Sequence, residues 1–220
     1  MSKESTVLPF FNLYQKPYEA ENVRISNYKE AIYHMANTVA DNALENFTDE
    51  QMEKSESVNE WHKKMPNKTP ECIIKYQNEN DKTVANSVTA EINKINCHLT
   101  NGQRILHGGK LPDGVVTTTA PLSTTLDAQV AFREAEFNEK AFNNNEINIY
   151  ELIVKDPKTN VFISDDKGEH SNEKEIIFAS GATINPSSKE IVTKKYPVYS
   201  KDDLKHPKYI AVNYIEATIS

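Results

Sequence analysis

The residues with the clearest potential for chemistry are two glutamates, Glu173 and Glu175, on either side of a lysine. Apolar residues and a glycine follow in the run Ile176-Ile177-Phe178-Ala179-Ser180-Gly181, which predicts a strand that ends in a turn. Side chains at i and i+2 of a strand point to the same face, so both carboxylates would stand at the mouth of one cleft. In an enclosed site, one could stay ionised beside a cationic centre while the other handles an incoming nucleophile.

The segment before the glutamates strengthens this interpretation. Residues 164–172 are polar and contain a glycine, which predicts a long exposed loop that leads directly onto the strand. Functional side chains are often found where such loops meet rigid strands. The alternative is that Glu173-Lys174-Glu175 is a solvated strand end, as charged runs usually are.

Two other stretches contain residues suited to ligand binding. Arg104-Ile105-Leu106-His107-Gly108-Gly109 is predicted at the end of a strand, and Leu122-Ser123-Thr124-Thr125 at a strand-to-helix junction. Each has a structural alternative. A lone histidine at a strand end is commonly a structural residue, and Ser-Thr-Thr before a helix is explained by N-cap preference.

The elements that must position these residues change in type along the chain. Residues 27–96 are predicted to be helical, and Asn101-Gly102 marks the turn that closes this part. The predicted strands then follow at 103–108, 115–120, 147–155, 160–164, 174–180, 190–199 and 209–219. One predicted helix, which begins near Thr125-Leu126-Asp127-Ala128, interrupts the strands.

Local signals place the starts of the N-terminal helices. Asn27 with Glu30, and Thr48 with Gln51, match the capping-box pattern. Asp81 is predicted to start a further helix. Residues 1–25 show no steady period and are predicted to be an irregular lead-in.

Helices followed by strands indicate an α+β fold. We expect a helical N-terminal part over residues 1–100, packed on a β-rich core over residues 101–220, with both forming one structural unit. The strands are too numerous for one face, which favours two packed sheets, a β-sandwich.

Composition excludes several functions. The formal charge of −7 and pI near 5.4 argue against binding to a nucleic-acid backbone, which needs a basic face. No apolar run approaches the roughly 18 residues of a membrane span.

The six histidines form no i, i+4 pair, so we expect no metal. The first residues lack the apolar core of a secretory signal. We therefore expect a location in the cytoplasm, or secretion into a host cell without a classical signal peptide.

The order of the three stretches resembles the mono-ADP-ribosyltransferases of bacterial toxins and phages, whose motifs are an Arg, then Ser-Thr-Ser, then Glu-x-Glu. The segment 173–181 is similar to the Glu-x-Glu strand, and residues 122–132 are similar to the Ser-Thr-Ser strand and the helix behind it. The first motif differs, because His107-Gly108 stands there as in the diphtheria-toxin and poly-ADP-ribose polymerase branch. The direct resemblance covers residues 103–185.

The resemblance implies an enzyme of the glycosyltransferase class that transfers ADP-ribose from NAD to a target protein, releasing nicotinamide. Glu175 would hold the ribose 2′-hydroxyl and stabilise the oxocarbenium-like centre. Glu173 would orient or deprotonate the acceptor side chain, with arginine favoured.

The same resemblance assigns supporting roles to other residues. Ser123 and Thr124 would hold Glu175, and Thr125 and Gly108 complete the implied NAD-binding set. Either His107 or Arg104 would bind the dinucleotide. The arginine would do so through its planar guanidinium, which can donate two hydrogen bonds to one phosphate. We expect the loop 165–172 to select the protein substrate.

Three alternatives stay open from the sequence. NAD could be hydrolysed, with water as acceptor. A catalytically degenerate transferase fold could act as a protein-binding module. The chain could also be an unrelated α+β interaction protein in which the three stretches only cap helices and end strands.

Overall fold

The computed structural model describes residues 5–38, 42–79, 82–164 and 174–220. Its α-helices are α1 (Tyr28–Asn37), α2 (Ala43–Glu53), α3 (Glu56–Lys64), α4 (Glu71–Glu79), α5 (Ala85–Ile95), α6 (Ala128–Glu136) and α7 (Lys140–Asn144). Short 3-10 turns lie at Leu13–Gln15, Lys82–Val84 and Phe137–Glu139. Its strands are β1 (Thr6–Val7), β2 (Tyr18–Ala20), β3 (Val23–Ile25), β4 (Cys97–His98), β5 (Arg104–Gly108), β6 (Val116–Thr117), β7 (Leu122–Thr125), β8 (Glu146–Val154), β9 (Val161–Ile163), β10 (Glu175–Phe178), β11 (Thr183–Ser200) and β12 (Asp203–Ile219). Helices followed by strands confirm the mixed α+β composition.

Helix starts agree with the sequence signals at some positions and not at others. Asn27 caps α1, because its side chain accepts a 2.8 Å hydrogen bond from the Glu30 main-chain nitrogen. The predicted start at Thr48 is wrong. Thr48 lies inside α2, where its hydroxyl donates to the Leu44 carbonyl, and Ser55 is the cap that begins α3. A serine at an N-cap satisfies a free main-chain N–H and so divides what the pattern predicts as one helix.

Other predictions for the N-terminal part have mixed outcomes. Asp81 lies outside the described residues, and α5 begins at Ala85. The lead-in is not wholly irregular. The strand β1 pairs in parallel with β4, and β2 pairs with β3.

Eight strands form one sheet in the order β6-β11-β12-β8-β5-β7-β10-β9, and two small sheets pair β1 with β4 and β2 with β3. Only β12 and β8 are parallel within the described part of this sheet. The expected two-sheet sandwich is therefore corrected to a single large hydrogen-bonded sheet. The physical reason is β5, which pairs with β8 on one side and with β7 on the other, joining the two halves.

Two hydrophobic clusters fix the helices to the sheet. The larger contains residues from both predicted parts of the chain, such as Trp61 of α3 and Leu152 of β8. The smaller joins α4 and α5 to β9 and β10 through Ile73, Val88, Ile92, Phe162, Ile177 and Ala179. The division at residue 100 stays a prediction. Among the described residues, none of the helices has the length and apolar character that a membrane crossing requires.

Candidate active site

Glu175 is the first residue of β10 and is only 4% exposed. Both carboxylate oxygens accept hydrogen bonds. The Ser123 hydroxyl donates to Oε1, and the Gln77 amide nitrogen donates to Oε2 at 2.6 Å. The Ser164 hydroxyl lies 3.4 Å from Oε2. The carboxylate is therefore held in one orientation from three segments of the chain.

Strand pairing explains why Ser123 reaches Glu175. In the antiparallel pair β7 and β10, Glu175 stands opposite Thr125 and Ile177 stands opposite Ser123. Residues two apart in a strand share a face, so Ser123 and Glu175 are diagonal neighbours on one face. Ser123 is an exposed residue while its neighbours in β7 are buried, and its hydroxyl makes a partly buried contact with the carboxylate.

His107 connects to the same serine. Its Nδ1 lies 2.8 Å from the Ser123 main-chain oxygen. A carbonyl can only accept, so Nδ1 carries the proton and Nε2 of the neutral ring is an acceptor. Burial is the main cause that lowers the pKa of His107, and the bond to Ser123 opposes this shift. The neutral imidazole is therefore the form present at pH 7.

The strand geometry accounts for this reach. Within the described residues, β5 meets β7 at one register pair, Leu106 with Thr125. The histidine is the next residue of β5, half-buried beside Tyr150, with ring centroids 6.1 Å apart. Ser123 thus contacts His107 through its carbonyl and Glu175 through its hydroxyl.

The two threonines after Ser123 are buried and make hydrogen bonds to the main chain. The Thr124 hydroxyl donates a 2.6 Å bond to the Ile176 carbonyl, which locks β7 to β10. The Thr125 hydroxyl accepts from the Asp127 main-chain nitrogen, at the entry to α6. These hydrogen bonds are made to the protein main chain, and the roles that the resemblance implies for Thr124 and Thr125 stay predictions.

Gly108 is required for packing. A Cβ built at this position would lie 1.8 Å from the main-chain oxygen of Ala131, so α6 can approach β5 only where a side chain is lacking. This close contact fixes α6, and with it the helix start that follows Ser123, against the strand that carries His107.

Arg104 is directed elsewhere. It begins β5, and its Nη1 lies 2.5 Å from Oε1 of Glu151, whose other oxygen accepts from the Tyr214 hydroxyl at 2.5 Å. Together with residues of the segment 10–14, these side chains line a cavity of about 400 Å³. The structure therefore brings together His107, Ser123 and Glu175, and it commits Arg104 to a buried carboxylate in a different place.

Lys174 anchors the start of the strand that carries Glu175. Its side chain is 2% exposed, and Nζ lies 3.0 Å from Asp49, 3.4 Å from Glu45 and 3.7 Å from Asp127. Its backbone has φ of +45°, the left-handed region that is uncommon for a residue with a side chain. The chain thus turns at Lys174, held by three carboxylates, immediately before Glu175.

Gln77 is the site residue that the sequence reasoning missed. It lies on α4, four residues after buried Ile73 and one after Tyr76, on the side of the helix that meets the sheet. The available signal was weak, because a single polar residue beside an apolar helical stripe is also typical of a helix boundary. Glu173 and the loop 165–172 lie outside the described residues.

The arrangement suits stabilisation of positive charge. A carboxylate that is held in one orientation by the neutral donors Ser123 and Gln77 can stabilise a cationic centre once it is ionised. Metal binding has no support within the described ranges, where no group of three or more His, Cys, Asp or Glu side chains is placed to hold an ion.

Comparison with known proteins gave likeness at the level of structure only. No family model and no curated protein matches the sequence. The Vis toxin of Vibrio splendidus, an ADP-ribosyltransferase, is 15% identical with a TM-score of 0.38, and the match covers 70% of this chain and 63% of that one. C3larvin, an ADP-ribosyltransferase of Paenibacillus larvae, is 12% identical with a TM-score of 0.41, covering 74% and 92%.

A third similar structure is the ADP-ribosylating toxin BECa of C. perfringens, which was solved with NADH. It is 13% identical with a TM-score of 0.40, and the match covers 71% of this chain and 37% of that one. At these scores and identities the likeness does not establish a family.

Proposed function

We propose that this protein is an NAD-dependent mono-ADP-ribosyltransferase that attaches ADP-ribose to a protein side chain, arginine favoured, and releases nicotinamide. The observation that carries the proposal is the joint contact of Ser123 with Glu175 and His107. These three residues are the Ser, Glu and His that the resemblance picks out by sequence order, and they are far apart in the chain.

The first step is cleavage of the bond between nicotinamide and ribose. The bonding electrons leave with nicotinamide, and positive charge develops on the sugar. The Glu175 carboxylate accepts a hydrogen bond from the ribose 2′-hydroxyl and stabilises the positive charge on the sugar. This stabilisation becomes stronger as the transition state forms. Ser123 keeps the carboxylate oriented, so little reorganisation is needed during the reaction.

His107 is the residue that we assign to grip NAD. Its Nδ1 is occupied by Ser123, which leaves Nε2 as a neutral acceptor for a hydroxyl of the nucleotide. Arg104 has its guanidinium on Glu151 and is excluded from this role in our proposal. Thr124 and Thr125 support the site through the backbone of β10 and α6.

The second step is transfer to the acceptor. A nucleophile attacks the ribose carbon that nicotinamide has left, and its proton passes to a base. We assign the base and the orientation of the acceptor to Glu173, and substrate selection to the loop 165–172. A target protein is therefore the expected partner, as for a toxin or effector.

The test is transfer of labelled ADP-ribose from NAD to proteins of a cell lysate, with the modified residue located by mass spectrometry. We expect labelled arginine with wild type and no labelling with Glu175→Ala. Glu173→Ala should still release nicotinamide without labelling protein. If wild type releases nicotinamide and labels no protein in any lysate, hydrolysis is the activity. If it neither binds nor cleaves NAD, the proposed function is wrong.

A further inference from the structure

The second oxygen of Glu175 is held by a residue of a helix that the three sequence motifs do not include. Gln77 Nε2 lies 2.6 Å from Glu175 Oε2 and 3.0 Å from the Ser164 hydroxyl. A hydrogen bond to a charged group is about twice as strong as one between neutral groups. The hydrogen bond from Gln77 is therefore strong enough to control the orientation of the Glu175 carboxylate.

The helix that carries Gln77 is fixed to both strands of the site. Ile73 of α4 is fully buried against Ile177, which lies two residues after Glu175 on the same face of β10. The Tyr76 hydroxyl donates a 2.7 Å bond to the carbonyl of Pro121, just before β7. Residues at i, i+3 and i+4 of a helix share one face, so these three contacts act together.

The charge of Glu175 is felt on this helix. Burial is the larger cause that raises the pKa of Tyr76, and the negative charge of Glu175 adds to it. The phenol and the carboxylate are therefore close in space, in agreement with the hydrogen bond from the neighbouring Gln77.

We propose that Gln77 is a positioning residue for NAD cleavage, which holds Glu175 ionised and oriented from the side opposite to Ser123. This inference rests on the proposed function. An amide suits the role because it donates without bringing a positive charge. A lysine or arginine there would cancel the negative charge that the developing cation on the sugar requires.

The test compares Gln77→Met, which keeps the length of the side chain and removes the donor, with wild type. We expect kcat for nicotinamide release to fall about tenfold while KM for NAD changes less than about threefold. The acid limb of kcat/KM against pH should move up by about one pH unit, because the ionised carboxylate loses a donor. The matched control is Lys75→Met, on the exposed side of the same helix.

A second measurement separates this inference from the proposed function. The side-chain carboxyl ¹³C signal of Glu175 is titrated by NMR in wild type and Gln77→Met. A midpoint that moves to higher pH in the variant supports the control of the Glu175 carboxylate by Gln77. Failure of wild type to cleave NAD would overturn the proposed function, and with it the role in cleavage, but not this control of the carboxylate. An unchanged midpoint with an unchanged pH profile overturns the inference. A higher kcat or a lower KM in Gln77→Met also overturns it, because Gln77 would then be a cover that NAD must displace.

Discussion

Replacing Lys174 with methionine removes the buried cation that fixes the chain immediately before Glu175. In wild type this ammonium faces Asp127, Glu45 and Asp49, and the first of these is fully buried at the start of α6. Methionine has a similar length and fills the space, so the substitution tests charge with little change of packing. The variant retains three carboxylates around an apolar side chain.

The size of the effect follows from how buried these groups are. Breaking a buried ion pair by removing one partner costs about 3–5 kcal/mol. We expect the free energy of unfolding to fall by about 3 kcal/mol, the lower end of that range. The reason is that the Asp49 side chain is 49% exposed, so water screens its interaction with Lys174. In a chain of this size each kcal/mol lowers Tm by about 2–4 °C, so Tm should fall by roughly 6–12 °C.

The loss of stability in Lys174→Met should depend on pH in a defined direction. Burial is the main cause that raises the pKa of Asp127, and Lys174 opposes this shift. A carboxyl whose folded pKa is raised stabilises the fold below its unfolded pKa, and this contribution is lost as pH rises through the folded value. Without Lys174 the folded pKa of Asp127 rises further. The difference in stability between wild type and variant should therefore be largest near pH 7 and shrink toward pH 4.

The assay is urea unfolding at pH 4, 5, 6 and 7, with Lys189→Met as control for loss of a lysine from an exposed ion pair with Glu146. The control should change the free energy of unfolding by less than about 1 kcal/mol. The reasoning is refuted if Lys174→Met is no less stable than the control at pH 7, or if its deficit grows on acidification.

Three further outcomes follow from the site. Ser123→Ala should lower kcat roughly 10- to 100-fold at nearly unchanged Tm, measured as nicotinamide release, because one donor to Glu175 is lost; an unchanged kcat would exclude the positioning role. The pKa of His107 is lowered in the fold, so the stability that its neutral form contributes is present above about pH 6.5 and lost as pH falls. Urea unfolding of wild type should therefore show a steeper loss from pH 7 to 5 than His107→Gln, and parallel slopes would contradict this. Arg104→Met should reduce the free energy of unfolding by about 2 kcal/mol, because buried Glu151 loses its cation, and should leave KM for NAD within about threefold; a large rise in KM would return Arg104 to the NAD site.

Part of the fold and of the site was predictable because its determinants are local. The Asn27 cap, the strand after Glu175 and the helix start at Asp127 each depend on residues within a few positions, and all are present. The sequence order of His107, Ser123 and Glu175 also pointed to residues that the sheet brings together.

Other features depend on strand order and helix packing, which local patterns do not encode. Arg104 and His107 are three residues apart in one strand, so they point to opposite faces, and only pairing with β8 decides that Arg104 meets Glu151. The role of Gln77 requires that α4 pack on β10. The single eight-stranded sheet arises because β5 bridges β8 and β7, a link that strand counts alone cannot supply.

The most direct test of the account is the rate of nicotinamide release from NAD by wild type and Glu175→Gln, with Glu216→Gln as the same substitution elsewhere in the sheet. Glutamine keeps the size of the side chain and removes the charge that stabilises the sugar cation. We predict at least about a hundredfold lower kcat for Glu175→Gln with a folded protein, and a wild-type rate for the control. Equal rates for wild type and Glu175→Gln would contradict the assignment of Glu175 as the catalytic carboxylate.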